Sequence, residues 1–207
     1  MKMSEAITTM MEGDKKGFKQ SIELVINLQG ITLSDPKNRI EEMLQLPAGR
    51  GKPAKIAMFA SDPELVRRGS GVVDRVIASG DIEALTIKQV KRIAHNYDFF
   101  LAEAPLMPMI GKRWGIALGP RGKMPRPIPP TADPGPITQQ LRDSVRIRLK
   151  GQPVMHVLIG SEEMQPEEIE ENLKAAIERI GNLLEKGKQA MSSAYIKKTM
   201  GSPVRVI

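Results

Sequence analysis

The chain has 207 residues, 41% hydrophobic and 27% charged, with 31 Lys and Arg against 24 Asp and Glu. At about 100 to 200 residues per domain, that length allows one large domain or two small ones, and the composition excludes wholesale disorder or a fibrous class. There is no cysteine, which excludes a disulfide framework and any thiolate metal site.

In chain order, Ser4 to Glu12 reads as a short helix with Ser4 as N-cap. In SIELVINLQG, Ile22, Leu24, Ile26 and Leu28 alternate with other residues, as a half-buried strand requires. IEEMLQLP then runs into a Gly and Pro cluster, Pro47 to Pro53, that marks a linker. Beyond it KIAMFA, DPELVRRG, VVDRVI, LTIKQVKRIAHNY and DFFLAE spell β, α, β, α, β, the pattern of a parallel sheet with crossover helices. APLMPMIGKRWGIALGPRGK is expected to add a helix and a strand, and TADPGPITQQLRDS a further helix.

VRIRLKGQPVMHVLIG reads as a hairpin turning at KGQP, with Arg146, Arg148 and Lys150 giving one sheet face a basic character. From about Pro166 to Lys186 a long helix is expected, with Pro166 at N1 and Ile169, Leu173, Ile177, Ile180 and Leu184 on one stripe. SSAYIKKTMGSPVRVI ends strand-like. Neither end has material for a domain alone. The expected architecture is therefore an α+β domain split between both termini, residues 1–49 with 145–207, and an inserted α/β domain, residues 50–144.

The inserted unit invites a nucleotide-dependent enzyme or small-ligand protein as the alternative reading. Its diagnostic loops are missing: after KIAMFA comes SDPELVRRGSG, with no GxGxxG, and the chain contains no GxxxxGK[ST]. His95 and His156, the only histidines, stand in unrelated elements, so no metal centre, cofactor site or catalytic triad is indicated. Asp98 and Glu103 bracket a strand and could form a carboxylate dyad, although a solvated strand end is the simpler account and the one preferred here. No enzyme, cofactor or metal is expected. The start lacks the apolar core of a signal peptide and no run of about 18 apolar residues occurs, so a soluble, cytoplasmic protein is expected.

Residues 111–150 hold nine basic side chains against two acids, while the rest of the chain balances at 22 against 22. Clustered positive charge is the footprint of a polyanion binder, or else a solvated rim. Its centre is LGPRGKMPRPIPP, residues 118–130, where glycines allow close backbone approach, prolines stiffen the loop, and Arg121, Lys123 and Arg126 carry charge.

That stretch, with FKQSIELVINL, PKNRIEE, LPAGRGK, YDFFLAEAPLMPMIGK and YIKKTMGSPVRVI, closely resembles the L-one family of large-subunit ribosomal proteins, of archaeal type. The likeness runs in order over nearly the whole chain. It implies a split first domain that grips large-subunit rRNA at the mobile lateral stalk, and a Rossmann-like second domain without a nucleotide. It further implies a monomer within the subunit that aids release of exit-site tRNA and represses translation through its own mRNA. The family's RNA-contacting patch falls on Phe18, Ser21, Glu23, Thr199, Met200 and Gly201, joined by Ser193 and Arg148. Arg121, Lys123, Arg126 and Lys150 are secondary candidates. Gly17 stands where many relatives have a basic residue, so a phosphate contact is not implied there. Without the resemblance, Phe18 and Met200, apolar and close to strands, read as core.

Overall fold

In the computed structural model, residues 3–13, 16–32, 35 and 39–207 are described. The PKN of the PKNRIEE motif lies outside them. The chain opens with helix α1 (Met3–Glu12), strand β1 (Ser21–Leu28) and strand β2 (Ile40–Gln45). It then builds β3 (Ile56–Ala60), α2 (Pro63–Gly69), β4 (Arg75–Ala78), α3 (Ser79–Ala84), α4 (Ile87–Asn96), β5 (Phe99–Glu103), α5 (Met107–Leu118), β6 (Arg126–Ile128) and α6 (Pro134–Arg142). It returns through β7 (Ser144–Leu149), β8 (Val154–Ser161), α7 (Pro166–Leu183), β9 (Met191–Lys198) and β10 (Val204–Arg205). Two compact units result: a terminal unit, up to Pro53 together with Asp143–Ile207, and an inserted unit, Ala54–Arg142.

In the terminal unit, β1 lies between β8 and β9 in an antiparallel sheet ordered β10-β9-β1-β8. Its even-numbered residues, Ile22 to Leu28, are buried and meet the stripe Ile169, Leu173, Ile177 and Ile180 of α7, with Ala6, Ile7 and Met10 of α1 in the same core. The long helix starts at Pro166 as its N1 proline dictates, with a capping box from Gln165 and Glu168, and stops at Leu183. α1 begins at Met3, so Ser4 lies inside the helix and not at its cap, where its carbonyl accepts from Thr8 Oγ1.

The expected hairpin of β7 and β8 does not form. β7 pairs antiparallel with β2, a separate two-stranded ladder, and β8 with β1. Val145, Ile147 and Leu149 stand opposite Leu44, Glu42 and Ile40 on the core side, where Glu42 also pairs with Arg179 of α7. On the outer side Arg148 faces Glu41 and Arg146 faces Met43, so that face is mixed and not basic.

The inserted unit is a parallel sheet ordered β4-β3-β5-β6. Alternation along β3 divides two cores. Ala57 and Phe59 pack with Ile82, Val90, Ile93, Ile110 and Trp114 from α3, α4 and α5, while Ile56, Met58 and Ala60 pack with Leu65 of α2 and Leu141 of α6. The strand expected before the basic loop is absent, because α5 runs on to Leu118, and only Arg126–Ile128 joins the sheet, at its edge, where prolines are tolerated.

The structure accounts for GPRGK as a helix terminus. Gly122, at φ 64°, takes the left-handed position. Its N–H donates to Gly119 O at 3.0 Å and that of Lys123 to Leu118 O at 2.9 Å, the paired bonds of a Schellman closure. Gly122→Ala is expected to cost about 1 kcal/mol, since a Cβ disfavours that conformation. Urea denaturation would measure the loss.

Candidate nucleic-acid interface

With the even-numbered positions of β1 buried, period two turns Glu23, Val25 and Asn27 to the other face. Across the ladders Glu23 stands beside Lys197 and Leu158, Val25 beside Tyr195 and His156, and Asn27 beside Ser193 and Val154. Asn27 Nδ2 donates to Ser193 Oγ at 2.9 Å. The face thus offers hydroxyl, amide, carboxylate and ammonium groups in neighbouring rows.

At its corner the turn after β9 docks on the start of β1. Thr199 N–H donates to Ser21 O at 3.0 Å, while its hydroxyl lies 3.1 Å from Ser21 O and 3.3 Å from Glu23 Oε1. Met200 N–H donates to Gln20 Oε1 at 3.1 Å, and Gly201 N–H closes the turn on Lys198 O. A Cβ on Gly201 would stand 3.1 Å from Lys198 Cβ, so the turn is tight against that residue. Behind it Lys198 is 3% exposed, its ammonium 2.9 and 3.1 Å from Met11 O and Gly13 O, where a cation complements the end of α1.

Ser21, Glu23, Thr199, Met200 and Gly201 are thereby gathered at one corner. Met200 and Phe18, three residues ahead of Ser21, are 65% and 55% exposed, which overturns the core reading of both. Ser193 lies farther along the same face. Arg148 is not part of the group, since it sits on β7 in the other sheet. Lys150 is exposed just past β7. Gln20, Asn27, Tyr195, Lys197 and His156 border the gathered residues and were not singled out from sequence. For all of them but Gln20, which is buried in phase with that stripe, the signal was the period-two complement of the buried positions.

Two of the three secondary candidates of the basic loop are spent within the inserted unit. Arg121 Nη1 donates to Ala117 O at 2.9 Å, and Lys123 Nζ to Ala94 O and Tyr97 O at 3.0 and 2.7 Å, so the latter caps the end of α4. Arg126 is exposed on the edge strand. Likewise Arg142 reaches Val72 O and lies 3.6 Å from Asp74.

Asp98 and Glu103 do not form a dyad. Asp98 accepts from Lys55 N–H, at the opposite end of β5. Glu103 is 5% exposed and accepts from Ser61 N–H, Ser61 Oγ and Asp62 N–H at 2.7, 2.7 and 3.2 Å. Burial alone would raise its pKa, but the Ser61 and Asp62 hydrogen bonds outweigh that and hold it below the usual carboxylate value. In the sheet order β4-β3-β5-β6 the strand direction of build-up reverses between β3 and β5, the switch point where α/β folds take phosphates on the N–H groups opening a helix. Here the protein's own carboxylate fills that place. Among the described residues no group of three or more His, Asp or Glu could hold a metal ion, and no helix is long and apolar enough to cross a membrane.

These features define a mixed α/β protein with a cluster of polar groups gathered at a sheet corner. Comparison with known proteins makes the class specific. Residues 9–202 match the model of the Ribosomal protein L1p/L10e family, and the chain belongs to that family. It is 41% identical over 194 residues to the large ribosomal subunit protein uL1 of Methanothermobacter thermautotrophicus, covering 93% of this chain and 92% of that protein. The uL1 of Archaeoglobus fulgidus is 43% identical over 197 residues, 94% and 92% of the two chains. That of Thermoplasma acidophilum is 44% identical over 194 residues, 93% and 89%. These relatives are archaeal, as the motifs PKNRIEE and AEAPLMPMIGK implied.

Proposed function

We propose that this protein is a non-enzymatic constituent of the cytoplasmic large ribosomal subunit that binds large-subunit rRNA through the corner of its terminal unit. The carrying observation is the docking of the Thr199–Gly201 turn on Gln20, Ser21 and Glu23 with Phe18 and Met200 exposed beside it. The chemistry suits RNA: the Phe18 ring and Met200 can press on ribose or base, the hydroxyls of Ser21, Thr199 and Ser193 can bond 2′-hydroxyls, and Gly201 lets a backbone come close. In this reading the terminal unit is the RNA-binding domain, a split α+β domain, and the inserted unit is a Rossmann-like second domain. Aid in releasing exit-site tRNA and repression through a similar structure in its own mRNA belong to the same proposal, resting on family membership.

Thr199→Val removes the hydroxyl and keeps the shape. The dissociation constant for a stalk rRNA fragment at fixed salt is expected to rise by the equivalent of about 1 to 3 kcal/mol. A gel-shift titration measures it, and an unchanged constant would remove Thr199 from the interface.

A further inference from the structure

The inserted unit contains 13 Lys and Arg against 8 Asp and Glu, a surplus of five. Two helices account for all of it. α4 carries Lys88, Lys91 and Arg92, α5 carries Lys112 and Arg113, and neither carries an acid. All five side chains are exposed, as is His95. Lys88, Lys91, Arg92 and His95 fall at i, i+3, i+4 and i+7, one outer stripe about 10 Å long. Their opposite face, Val90, Ile93 and Ala94, shares a buried cluster with Ile110 and Trp114 of α5, so the two helices lie in one layer over the sheet. Lys123 fixes their ends together, since it follows the closure of α5 and caps α4.

Four other basic residues of the unit have work inside it that these five lack. Arg68 holds the carbonyls of Pro130, Thr131 and Ala132, Arg121 and Lys123 close helix ends, and Arg142 bonds Val72 and Asp74. Among the described residues the side chains of Lys88, Lys91, Arg92, Lys112 and Arg113 make no ion pair or hydrogen bond. The acids of the same layer, Asp81 and Glu83, sit on α3.

We infer that the outer face of α4 and α5 is a second RNA-binding surface that takes a phosphodiester backbone without reading its sequence, distinct from the sheet corner. Exposed cations along two adjacent helices suit a ridge of regularly spaced phosphates, and binding there draws on counterion release. The inference rests on the reading of the chain as an RNA-binding protein but not on the residues of the corner.

The test uses the full chain and a short RNA duplex of arbitrary sequence. Replacing Lys88, Arg92, Lys112 and Arg113 by glutamine should weaken duplex binding about tenfold or more. The slope of log K against log salt should become shallower by about 3, at roughly 0.7 to 0.9 for each phosphate no longer neutralised. The pair Lys88→Gln with Arg92→Gln should give about half that change. Lys55→Gln with Arg75→Gln, on exposed positions of the same unit outside these helices, should leave the slope as it was. Thr199→Val should spare the duplex while weakening the stalk fragment, so the two surfaces fail separately. An unaltered slope in the fourfold variant, an equal change in the control pair, or displacement of the duplex by polyglutamate as effectively as by RNA would each overturn the inference.

Discussion

Glu103→Ala is expected to lower the stability of the inserted unit by about 3 kcal/mol. The carboxylate is 5% exposed and takes two backbone N–H groups and one hydroxyl, tying the end of β5 to the turn that starts α2. Hydrogen bonds to a charged group contribute about 1.5 to 3 kcal/mol each, but Ser61 is exposed, so water can replace part of what is lost. That puts the total near one such bond at full strength and a fraction of the others. The effect also carries a pH signature. Its folded pKa lies below its ordinary 4.5, so the carboxylate's contribution is fully present above that value and disappears as the pH falls through the folded pKa. The stability gap between the native chain and Glu103→Gln, read from denaturant midpoints, should therefore be widest at neutral pH and close in acid below 4.5. A gap independent of pH would mean that Glu103 acts by packing alone.

This carboxylate also bears on function. A phosphate-binding α/β protein keeps the N–H groups at its switch point open for ligand. Here Glu103 takes the N–H groups of Ser61 and Asp62 just ahead of α2, so that turn serves as a structural clamp. The absent GxGxxG and the occupied helix start are thus two sides of one fact, the first legible in sequence and the second only in coordinates.

What could be read from sequence was what depends on local pattern. The alternation of Ile22 to Leu28 and the stripe from Ile169 to Ile180 each need one buried face, and burial follows the period. β2 escaped notice because Glu41 and Glu42 break the apolar pattern of IEEMLQ. Its strand state comes from a ladder with β7, about a hundred residues away, and from the ion pair of Glu42 with Arg179. The turn at Gly151, φ 84°, looked like a hairpin because turn chemistry is local while the choice of ladder partner is not. The residues of the sheet corner were named through family resemblance, and their placement required the fold: nothing in Phe18 or Met200 alone says that an apolar side chain will stand in solvent. Charge was the least transparent signal. The run from 111 to 150 looked like one patch, yet its members are divided among the surface of α5, two helix ends, a bond to Val72 and the outer side of β7. The basic surface that does form draws on Lys88, Lys91 and Arg92, which lie outside that run.

The terminal unit has a comparable polar keystone in Asn172, and Asn172→Leu, close in volume but without polar atoms, is expected to cost about 3 kcal/mol. Asn172 is fully buried on α7, accepts from Ala48 N–H at 3.0 Å and donates to Gly49 O and Ile159 O at 2.8 and 2.9 Å. The β1-to-β8 register steps from Gly160 to Leu158, a bulge that skips Ile159, and the Asn172 amide supplies a partner for that carbonyl. Each buried group left unsatisfied costs about 1 to 3 kcal/mol, with the half-buried Ala48 and Gly49 at the lower end because water can reach them. Amide exchange should quicken in β1, β8 and β9 and stay slow in β3 and β5, since the lost bonds all lie in the terminal unit. Equal loss of protection in both units would show instead that they unfold as one. The bulge lies opposite Ile22 and Glu23, next to where β1 brings Ser21 to the Thr199 turn. The same variant should therefore bind the stalk rRNA fragment more weakly even at temperatures where it is fully folded, although Asn172 itself is sealed from solvent.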